Sequence, residues 1–360
     1  MTADTVGGVW TYSMDLISIL ADAGIHVHLF TSGVPLSNAQ RDEVADRKNL
    51  TLYESGFKLE WMDHPWHDIE FSGWQLLEME RRLKPDLIHL NSYSYASLPF
   101  KSPVIVVAHS DVFSWWFSVR KSLPGPEWQE YFRRVKEGIR AADCVVAPSQ
   151  SMMGMLGAIY GTPADARVIY NARDVAKCEV VPKQNVVMSA GRLWDEAKNI
   201  RQLAYASDRI KAPVKIAGEL KLIDEYAKFD NIRLLGKLNG TDVREEMASS
   251  LIYAAPARYE PFGLCILEAA MCGCALVLGN IPSLKELWKD NALYVDTDNA
   301  EALASTCNRL LDNPELAIEY GNRAKAHSTV YALEKMGAHY VELYDELVKT
   351  SQSLRTVQIA

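Results

Sequence analysis

The chain has 360 residues, of which 48% are apolar and 23% are charged, as in an ordinary soluble globular protein. Chains of this length usually divide into two cores. The net charge of −8 argues against nucleic acid as the main partner, because phosphate backbones bind clustered basic surfaces. A few well-placed cations are nevertheless enough to bind one diphosphate.

The spacing of the cysteines and the length of the apolar runs indicate the cellular compartment of the protein. None of the six cysteines forms a CxxC pair, and a zinc site needs more ligands at suitable spacing. We therefore expect reduced, buried thiols in a cytoplasmic protein, with attachment to the inner face of the membrane left open. No apolar run approaches the roughly 20 residues of a spanning helix, so we expect neither a transmembrane segment nor a secretory signal.

The first half of the chain alternates strands with helices. Met1 to Asp4 looks like the tail of a strand, so we expect the natural chain to carry several apolar residues before Met1. Apolar spacing after Gly7-Gly8 predicts a helix that ends at Gly24. Further along, the pattern predicts strands at 25–31, 86–91, 103–108 and 143–148, and a helix at 127–142.

The second half repeats this alternation. Residues 161–184 hold Gly161, Pro163 and Pro182 among polar residues, and we assign them to an inter-domain linker. The remaining pattern predicts strands at 185–190, 213–217, 231–235, 251–255 and 275–278, and a final helix at 332–350. Strands that alternate with helices predict an α/β fold with parallel sheets.

The segment Tyr259-Glu-Pro-Phe-Gly-Leu-Cys-Ile-Leu-Glu268 follows a predicted strand and opens a helix. Ligands of open α/β sheets bind at the carboxyl edge, where this segment begins. Backbone N–H groups of Phe262, Gly263 and Leu264 at a helix N-terminus suit a phosphate. Ordinary capping explains Glu260 equally well, but it does not explain Glu268 on an otherwise apolar helix.

A second segment, Gly191-Arg-Leu-Trp-Asp-Glu-Ala-Lys-Asn199, also comes directly after a strand. Arg192 and Lys198 can reach the same sheet edge, and together they would neutralise a diphosphate leaving group. Taken alone, the segment is explained better as a surface loop with two solvated cations.

Together the two segments resemble a known family. Gly-Arg-Leu…Lys-Asn followed by Glu-Pro-Phe-Gly-Leu…Glu is similar to the retaining glycosyltransferases of family four, which share the GT-B fold with glycogen synthase. Weaker matches in the same order extend the resemblance over almost the whole chain: Gly7-Gly8, His109-Ser-Asp111, Pro148-Ser149, Ile169-Tyr-Asn171 and Ile216-Ala-Gly218. Arg192 and Lys198 are one residue further apart than in the commonest form, so we expect the loop to bulge.

The resemblance implies roles for these residues. Arg192 and Lys198 would bind the donor diphosphate, Glu268 the donor ribose, and Glu260 the transferred sugar beside the amides of Phe262, Gly263 and Leu264. From the other domain, Gly7 and Gly8 would lie against acceptor and phosphate, and His109 would contact the donor sugar. Asp111 and Trp115 are assigned to the acceptor. Within this set, the catalytic candidates are Glu260, His109, Arg192 and Lys198.

The resemblance also implies two Rossmann-like parallel-sheet domains that face each other across a cleft. Residues 1–165, with the final helix 333–360 packed back on them, would bind the acceptor, and residues 180–332 would bind the donor. Transfer would retain the anomeric configuration, with the departing diphosphate taking the acceptor's proton; a covalent intermediate on Glu260 is the less favoured route. UDP-hexose is the first choice of donor and a GDP-sugar the second; the expected acceptor is a hydroxyl of a sugar, a polysaccharide precursor or a lipid-linked acceptor.

Three further features have an ordinary explanation beside a functional one. Asp296-Thr-Asp298 mimics a metal-binding motif of another glycosyltransferase fold, but it precedes a predicted helix, so we interpret it as helix capping and expect no metal and no other cofactor. Of the adjacent rings Trp115, Trp116 and Phe117, at least one must face outward. The basic residues of helix 127–142 are either a solvated face, which is the default, or a weak contact with anionic lipid: Arg133, Arg134, Lys136 and Arg140.

Two other functions remain open from the sequence alone. One is a GT-B epimerase that acts on a sugar nucleotide, and it would differ by forming an isomer rather than a new glycoside. The other is a non-catalytic protein that binds a nucleotide sugar. The full set of transfer residues favours the transferase.

Overall fold

In the computed structural model, residues 1–174, 181–219 and 229–359 are described, apart from the side chains of 354–359. Their strands are β1 (Thr2–Asp4), β2 (Val27–Ser32), β3 (Leu50–Glu54), β4 (Ile88–Leu90), β5 (Val104–Val107), β6 (Cys144–Ala147), β7 (Ala166–Val168), β8 (Gln184–Ala190), β9 (Val214–Ala217), β10 (Ile232–Gly236), β11 (Ser250–Ala255), β12 (Ala275–Gly279) and β13 (Leu293–Val295). Their α-helices are α1 (Gly8–Asp22), α2 (Asn38–Ala45), α3 (Trp66–Leu83), α4 (Val112–Arg120), α5 (Gln129–Ala141), α6 (Gln150–Tyr160), α7 (Ile200–Ser207), α8 (Gly240–Ser249), α9 (Leu264–Met271), α10 (Pro282–Trp288), α11 (Ala300–Leu311), α12 (Pro314–Ser328) and α13 (Leu333–Ile359).

The chain divides into two compact units. The first comprises Met1–Phe117, Ser122–Ala172 and Leu333–Ala360, and the second comprises Ser118–Lys121 and Arg173–Ala332. The division after Ala172 falls inside the predicted linker 161–184. That linker is nevertheless wrong at Ala166–Val168, which form β7, and its residues 175–180 lie outside the described part of the chain.

The first unit holds two parallel sheets, with strand orders β1-β2-β3 and β4-β5-β6-β7. The backbone N–H of Asn91, directly after β4, donates to Thr2 Oγ1 at 2.9 Å, and its side-chain amide donates to Thr2 O at 2.7 Å. These bonds join the short strand β1 to the neighbouring sheet.

The core of the first unit lies where α1 packs on α13. Leu16, Ile17 and Leu20 of α1 are buried in one cluster with residues from the last helix, namely Tyr340, Leu343, Tyr344 and Leu347. Burying a side chain of this size contributes about 1.5–3 kcal/mol. The long helix at the end of the chain is therefore an integral part of the first unit.

The second unit contains one parallel sheet of six strands in the order β10-β9-β8-β11-β12-β13. Its core is formed by the apolar faces of α7, α11 and the strands. The α/β fold class with Rossmann-like parallel sheets is thus confirmed. Among the described residues, no helix is both long and apolar enough to cross a membrane.

Candidate active site

The six-stranded sheet has a topological switch point between β8 and β11. The chain runs outward from β8 through β9 to β10, and then returns to the other side of β8 to continue through β11, β12 and β13. Ligands of such sheets bind in the crevice outside the carboxyl ends of the strands at this point. The two sequence segments of interest follow β8 and β11, so both lie at the switch point.

A buried tyrosine fixes the spacing of these two strand ends. Tyr253 of β11 donates from its hydroxyl to Ala190 O at 3.1 Å and accepts from Ala190 N–H at 3.2 Å. Ala190 is the last residue of β8, so this pair of bonds holds the loop that begins at Gly191. Burial and the nearby Cys265, Glu260 and Glu268 raise the pKa of Tyr253, which stays protonated as both donor and acceptor.

The loop after β8 is built from successive turns. The Asp195 carboxylate is buried and accepts from Ala197 N–H at 3.0 Å and from the Arg192 guanidinium at 2.6 Å. Asn199 closes the loop in the left-handed conformation, and its amide donates to Pro256 O and Thr297 O at 2.9 and 2.6 Å. These bonds fix both ends of the segment that carries the predicted cations.

The structure brings Lys198 onto Glu260 as a hydrogen-bonded ion pair. The Lys198 and Glu260 side chains are only 25% and 13% exposed. Burial alone would lower the pKa of Lys198, but the carboxylate of Glu260 outweighs it and the pKa is raised, so the ammonium stays charged. The positive charge of the Arg192 guanidinium lowers the pKa of the same ammonium, so the two cations are close enough for their charges to interact.

Gly263 prepares the start of α9. It adopts a φ of 88°, in the left-handed region that favours glycine, and it is the N-cap residue of the helix without any side-chain cap. The Ile266 N–H bonds to Gly263 O at 3.0 Å, so the helix start is closed by backbone alone, and a helix N-terminus of this kind suits an anion. Phe262 directly precedes Gly263 and is buried, with 5.4 Å between its ring centroid and that of Tyr331, so packing of this ring anchors the loop.

Glu268, one turn further along α9, forms an ion pair with Arg173 at 2.6 Å. Both side chains are largely buried, with 13% and 16% exposure. The charges of both pairs act on the Cys265 thiol: burial and then Glu268 and Glu260 raise its pKa to about 12, against the two cations. The second unit therefore presents two cation–carboxylate pairs side by side at the switch point. Sequence analysis missed Arg173, which lies next to the Ile169-Tyr-Asn171 match.

In the first unit, the predicted residues gather around the start of α1. Gly7 is the N-cap of α1 with a φ of 81°, and Gly8 is the first helical residue. Tyr12, one turn later, contacts the His109 ring edge-on at 4.5 Å between centroids. His109 Nε2 lies 2.7 Å from Asn91 Oδ1, and burial lowers the pKa of His109 to about 3, so its ring is neutral at physiological pH.

Asp111 lies directly before helix α4, and Trp115 lies on that helix. Asp111 Oδ1 accepts from Ser114 N–H at 2.9 Å, as an N-cap residue does, and from the Tyr160 hydroxyl at 2.8 Å. Its carboxylate is buried, which raises its pKa against these hydrogen bonds, and Oδ2 has no hydrogen-bond partner among the described residues. Trp115 contacts Trp116, while Phe117 is 57% exposed, so the prediction that one ring of the three faces outward is confirmed.

Two sequence interpretations change, and the default interpretation of the basic residues of α5 is supported. The cap of α11 is Asn299, which accepts from Ala302 N–H, whereas Asp298 pairs with Arg258 at 2.5 Å; capping by the two aspartates is therefore wrong. On α5, Arg133 and Arg134 pair with carboxylates of Glu70, Glu130 and Glu137, as on a solvated face. Cys272 is disulfide-bonded, so the expectation of reduced thiols is wrong at that position, while four other cysteines are free: Cys144, Cys265, Cys274 and Cys307.

Gly218 lies close to the backbone of Gly191, at the start of the loop that carries Arg192 and Lys198, and this yields a stability prediction. A Cβ at Gly218, which follows β9, would lie 2.0 Å from Gly191 O. We expect Gly218→Ala to lower the free energy of unfolding by about 1–3 kcal/mol, because backbone must move. Gly154→Ala is the matched control: its Cβ meets nothing within 4 Å in α6, so helix propensity should raise stability by up to about 1 kcal/mol. Equal effects in urea denaturation would contradict this account.

Comparison with known proteins agrees with this arrangement. The family model "Glycosyltransferase Family 4" matches residues 6–177, and "Glycosyl transferases group 1" matches residues 172–327. N-acetyl-alpha-D-glucosaminyl L-malate synthase of Bacillus anthracis is 21% identical over 382 aligned residues, which cover 97% of this chain and 96% of that protein.

Two solved structures share the fold. Sucrose-phosphate synthase from Thermosynechococcus elongatus superimposes with a TM-score of 0.80 at 19% identity, covering 96% of this chain and 94% of that one. HepE of Anabaena in complex with UDP-glucose gives a TM-score of 0.75 at 18% identity, covering 95% and 96%. With the two family models spanning residues 6–327 between them, the chain belongs to family four of the glycosyltransferases and has the GT-B fold.

Proposed function

We propose that this protein is a retaining hexosyltransferase that moves a hexose from UDP-hexose to a hydroxyl of a sugar, a polysaccharide precursor or a lipid-linked acceptor. The observation that carries the proposal is the pairing at the switch point. There Lys198 and Glu260 lie beside Arg173 and Glu268, with Arg192 close to Lys198. HepE of Anabaena, whose fold is the same, is known in complex with UDP-glucose.

In this proposal each charged group has one task. Arg192 and Lys198 neutralise the diphosphate together with the uncapped amides of α9, and Glu268 accepts hydrogen bonds from the ribose hydroxyls. Glu260, held by Lys198, accepts a hydrogen bond from a hydroxyl of the transferred sugar. The site thus supplies charge stabilisation and positioning rather than an enzymic base.

The reaction breaks the bond between the anomeric carbon and the diphosphate oxygen. The acceptor oxygen bonds to the anomeric carbon on the same face, and its proton passes to the departing diphosphate. The leaving group gains negative charge as this happens, so cations that bind it hold the transition state more tightly than the ground state.

A panel of nucleotide sugars tests the donor. We expect UDP-glucose to raise the melting temperature by several degrees, because a ligand at 100 times its Kd adds about 2.7 kcal/mol to stability. GDP- and ADP-sugars should shift it less, and free glucose is the control without a nucleotide. A melting temperature that no nucleotide sugar changes would refute the proposal, and an isomer in place of a glycoside would reassign the activity.

Metal independence is a separate part of the proposal. Protein cations take the place of a divalent ion at the diphosphate, and the Asp298 carboxylate is already paired with Arg258. Full activity is therefore expected in EDTA. Assays with and without added Mg²⁺ or Mn²⁺ check this, and loss in EDTA that either ion restores would return Asp296 and Asp298 as metal ligands.

A further inference from the structure

Asn91, directly after β4, lies at the centre of a polar network in the first unit. Its Nδ2 donates to Thr2 O at 2.7 Å and lies 3.4 Å from Ser13 Oγ. A backbone carbonyl can only accept, so the amide nitrogen must face Thr2 and Oδ1 must face the other way. The backbone N–H of Asn91 donates to Thr2 Oγ1 at 2.9 Å and fixes the residue a second time.

The orientation of Asn91 decides which nitrogen of His109 carries the proton. Asn91 Oδ1 lies 2.7 Å from His109 Nε2, and a carbonyl oxygen accepts only, so Nε2 must be the donor. The buried ring is neutral, with a pKa of about 3, and a neutral imidazole has one N–H. Its Nδ1 is consequently a bare hydrogen-bond acceptor.

The rest of the network keeps this arrangement neutral. His89 packs beside it, with Nδ1 2.7 Å from the Tyr344 hydroxyl of α13 and Nε2 3.4 Å from Asn91 Oδ1. Burial also lowers the pKa of His89 well below its usual value, so it offers no positive charge to the site. The Tyr12 ring also contacts His109, with 4.5 Å between the ring centroids and an angle of 68° between the planes.

We propose that Asn91 is a positioning residue that fixes His109 as the Nε2–H tautomer, so that His109 offers the donor sugar only an acceptor at Nδ1 and selects a hexose hydroxyl over a uronate carboxylate. The sugar selection rests on the proposed function and on the role that the family resemblance implies for His109, contact with the donor sugar. A hexose hydroxyl can donate to Nδ1. A uronate carboxylate has no proton to donate at neutral pH, and its oxygens would face the lone pair of a neutral ring.

The tautomer is measured directly, without any assay of activity. Long-range ¹H–¹⁵N spectra of protein labelled at histidine separate the two tautomers, and His109→Gln assigns the signal. We expect the Nε2–H form in the native protein and a mixture, or the Nδ1–H form, in Asn91→Leu. Tyr344→Phe is the matched control, because it removes the hydrogen bond to His89 and leaves Asn91 in place. A native His109 in the Nδ1–H form, or an unchanged signal in Asn91→Leu, would overturn the assignment.

Sugar selection is measured as the ratio of kcat/KM for UDP-hexose to that for the corresponding UDP-uronate. We expect a ratio of at least about 100, since sites built around a hydroxyl reject analogues that lack it. Asn91→Asp places a carboxylate against Nε2, which favours the imidazolium and gives Nδ1 a proton; this should lower the ratio at least about 10-fold. Tyr344→Phe should keep it within about 2-fold. An unchanged ratio in Asn91→Asp refutes the selection of a hydroxyl over a carboxylate by His109. If the protein uses no UDP-sugar, the proposed function is refuted, and the spectra alone then decide the tautomer of His109.

Discussion

Lys198→Ala and Arg192→Ala are each expected to lower kcat by at least about 100-fold, the effect of losing a group that stabilises charge in the transition state. Both cations are assigned to one leaving group that becomes more negative as the glycosidic bond breaks, and such interactions act on kcat rather than on KM alone. Steady-state kinetics with UDP-hexose at saturating acceptor measure the effect.

Two further variants refine this prediction. The double mutant should lose less than the sum of the single losses in free energy, because the two cations share one target and lie close enough to affect each other's charge. Lys198→Arg should not restore full activity, since a planar guanidinium cannot replace a compact ammonium that also holds Glu260.

The structure supplies the control for these experiments. Lys211 pairs with Asp312 on the surface, is 60% exposed, and precedes β9 at the opposite edge of the sheet. Lys211→Ala should therefore leave kcat within about 2-fold of the native value. Because Lys198→Ala also leaves Glu260 unpaired, rates are compared at a temperature where circular dichroism shows each variant folded. A near-native kcat in Lys198→Ala or Arg192→Ala would contradict the assignment of these two cations to the diphosphate.

Much of this site follows from the sequence because its parts are local. Hydrophobic runs locate β8 and β11, and parallel strands place the loops that follow them at one edge. Gly263 marks the helix start, because it is the N-cap residue and the helix begins at Leu264. The α1 helix was predicted to end at Gly24, and it ends at Asp22.

The pairings between these parts could not be predicted in this way. Spacing puts Lys198 and Glu260 on the same edge, but which cation meets which carboxylate depends on turns that Asp195 and Asn199 organise. Arg173 lies far from Glu268 in the chain and belongs to no periodic pattern.

Several elements of the first unit were missed for a related reason. Three residues of β7 show no alternation, and the sequence analysis assigned no element between residues 32 and 85, where β3, α2 and α3 occur. β3 pairs with β2 and β7 pairs with β6, and this pairing between strands stabilises them where local patterning gives little signal.

The pairing of Glu268 with Arg173 changes what its removal should do. From the sequence alone, Glu268→Ala should weaken donor binding with little effect on the melting temperature. In the structure, the same change leaves the largely buried Arg173 guanidinium without this partner. Breaking a buried pair costs about 3–5 kcal/mol, so we now expect a clear loss of stability together with weaker binding.

A double variant separates the two roles of Glu268. Replacing both partners by neutral groups, as in Arg173→Met with Glu268→Gln, removes the charge that lost this partner and should recover most of the lost stability. It should not recover donor affinity, because a ribose hydroxyl then meets an amide instead of a carboxylate. Hydrogen bonds to charged groups contribute about 1.5–3 kcal/mol, which corresponds to a rise of roughly 10- to 100-fold in the Kd for UDP-hexose.

Thermal unfolding and calorimetric titration of the two variants decide between ribose binding and a purely structural pair. Asp312→Ala is the control for charge removal, since it breaks only the exposed pair with Lys211 and should cost no more than about 1 kcal/mol. If Glu268 serves only to neutralise Arg173, the double variant will regain both stability and native affinity. Stability that returns without affinity would instead assign the carboxylate to the donor, because only ligand binding then depends on its charge.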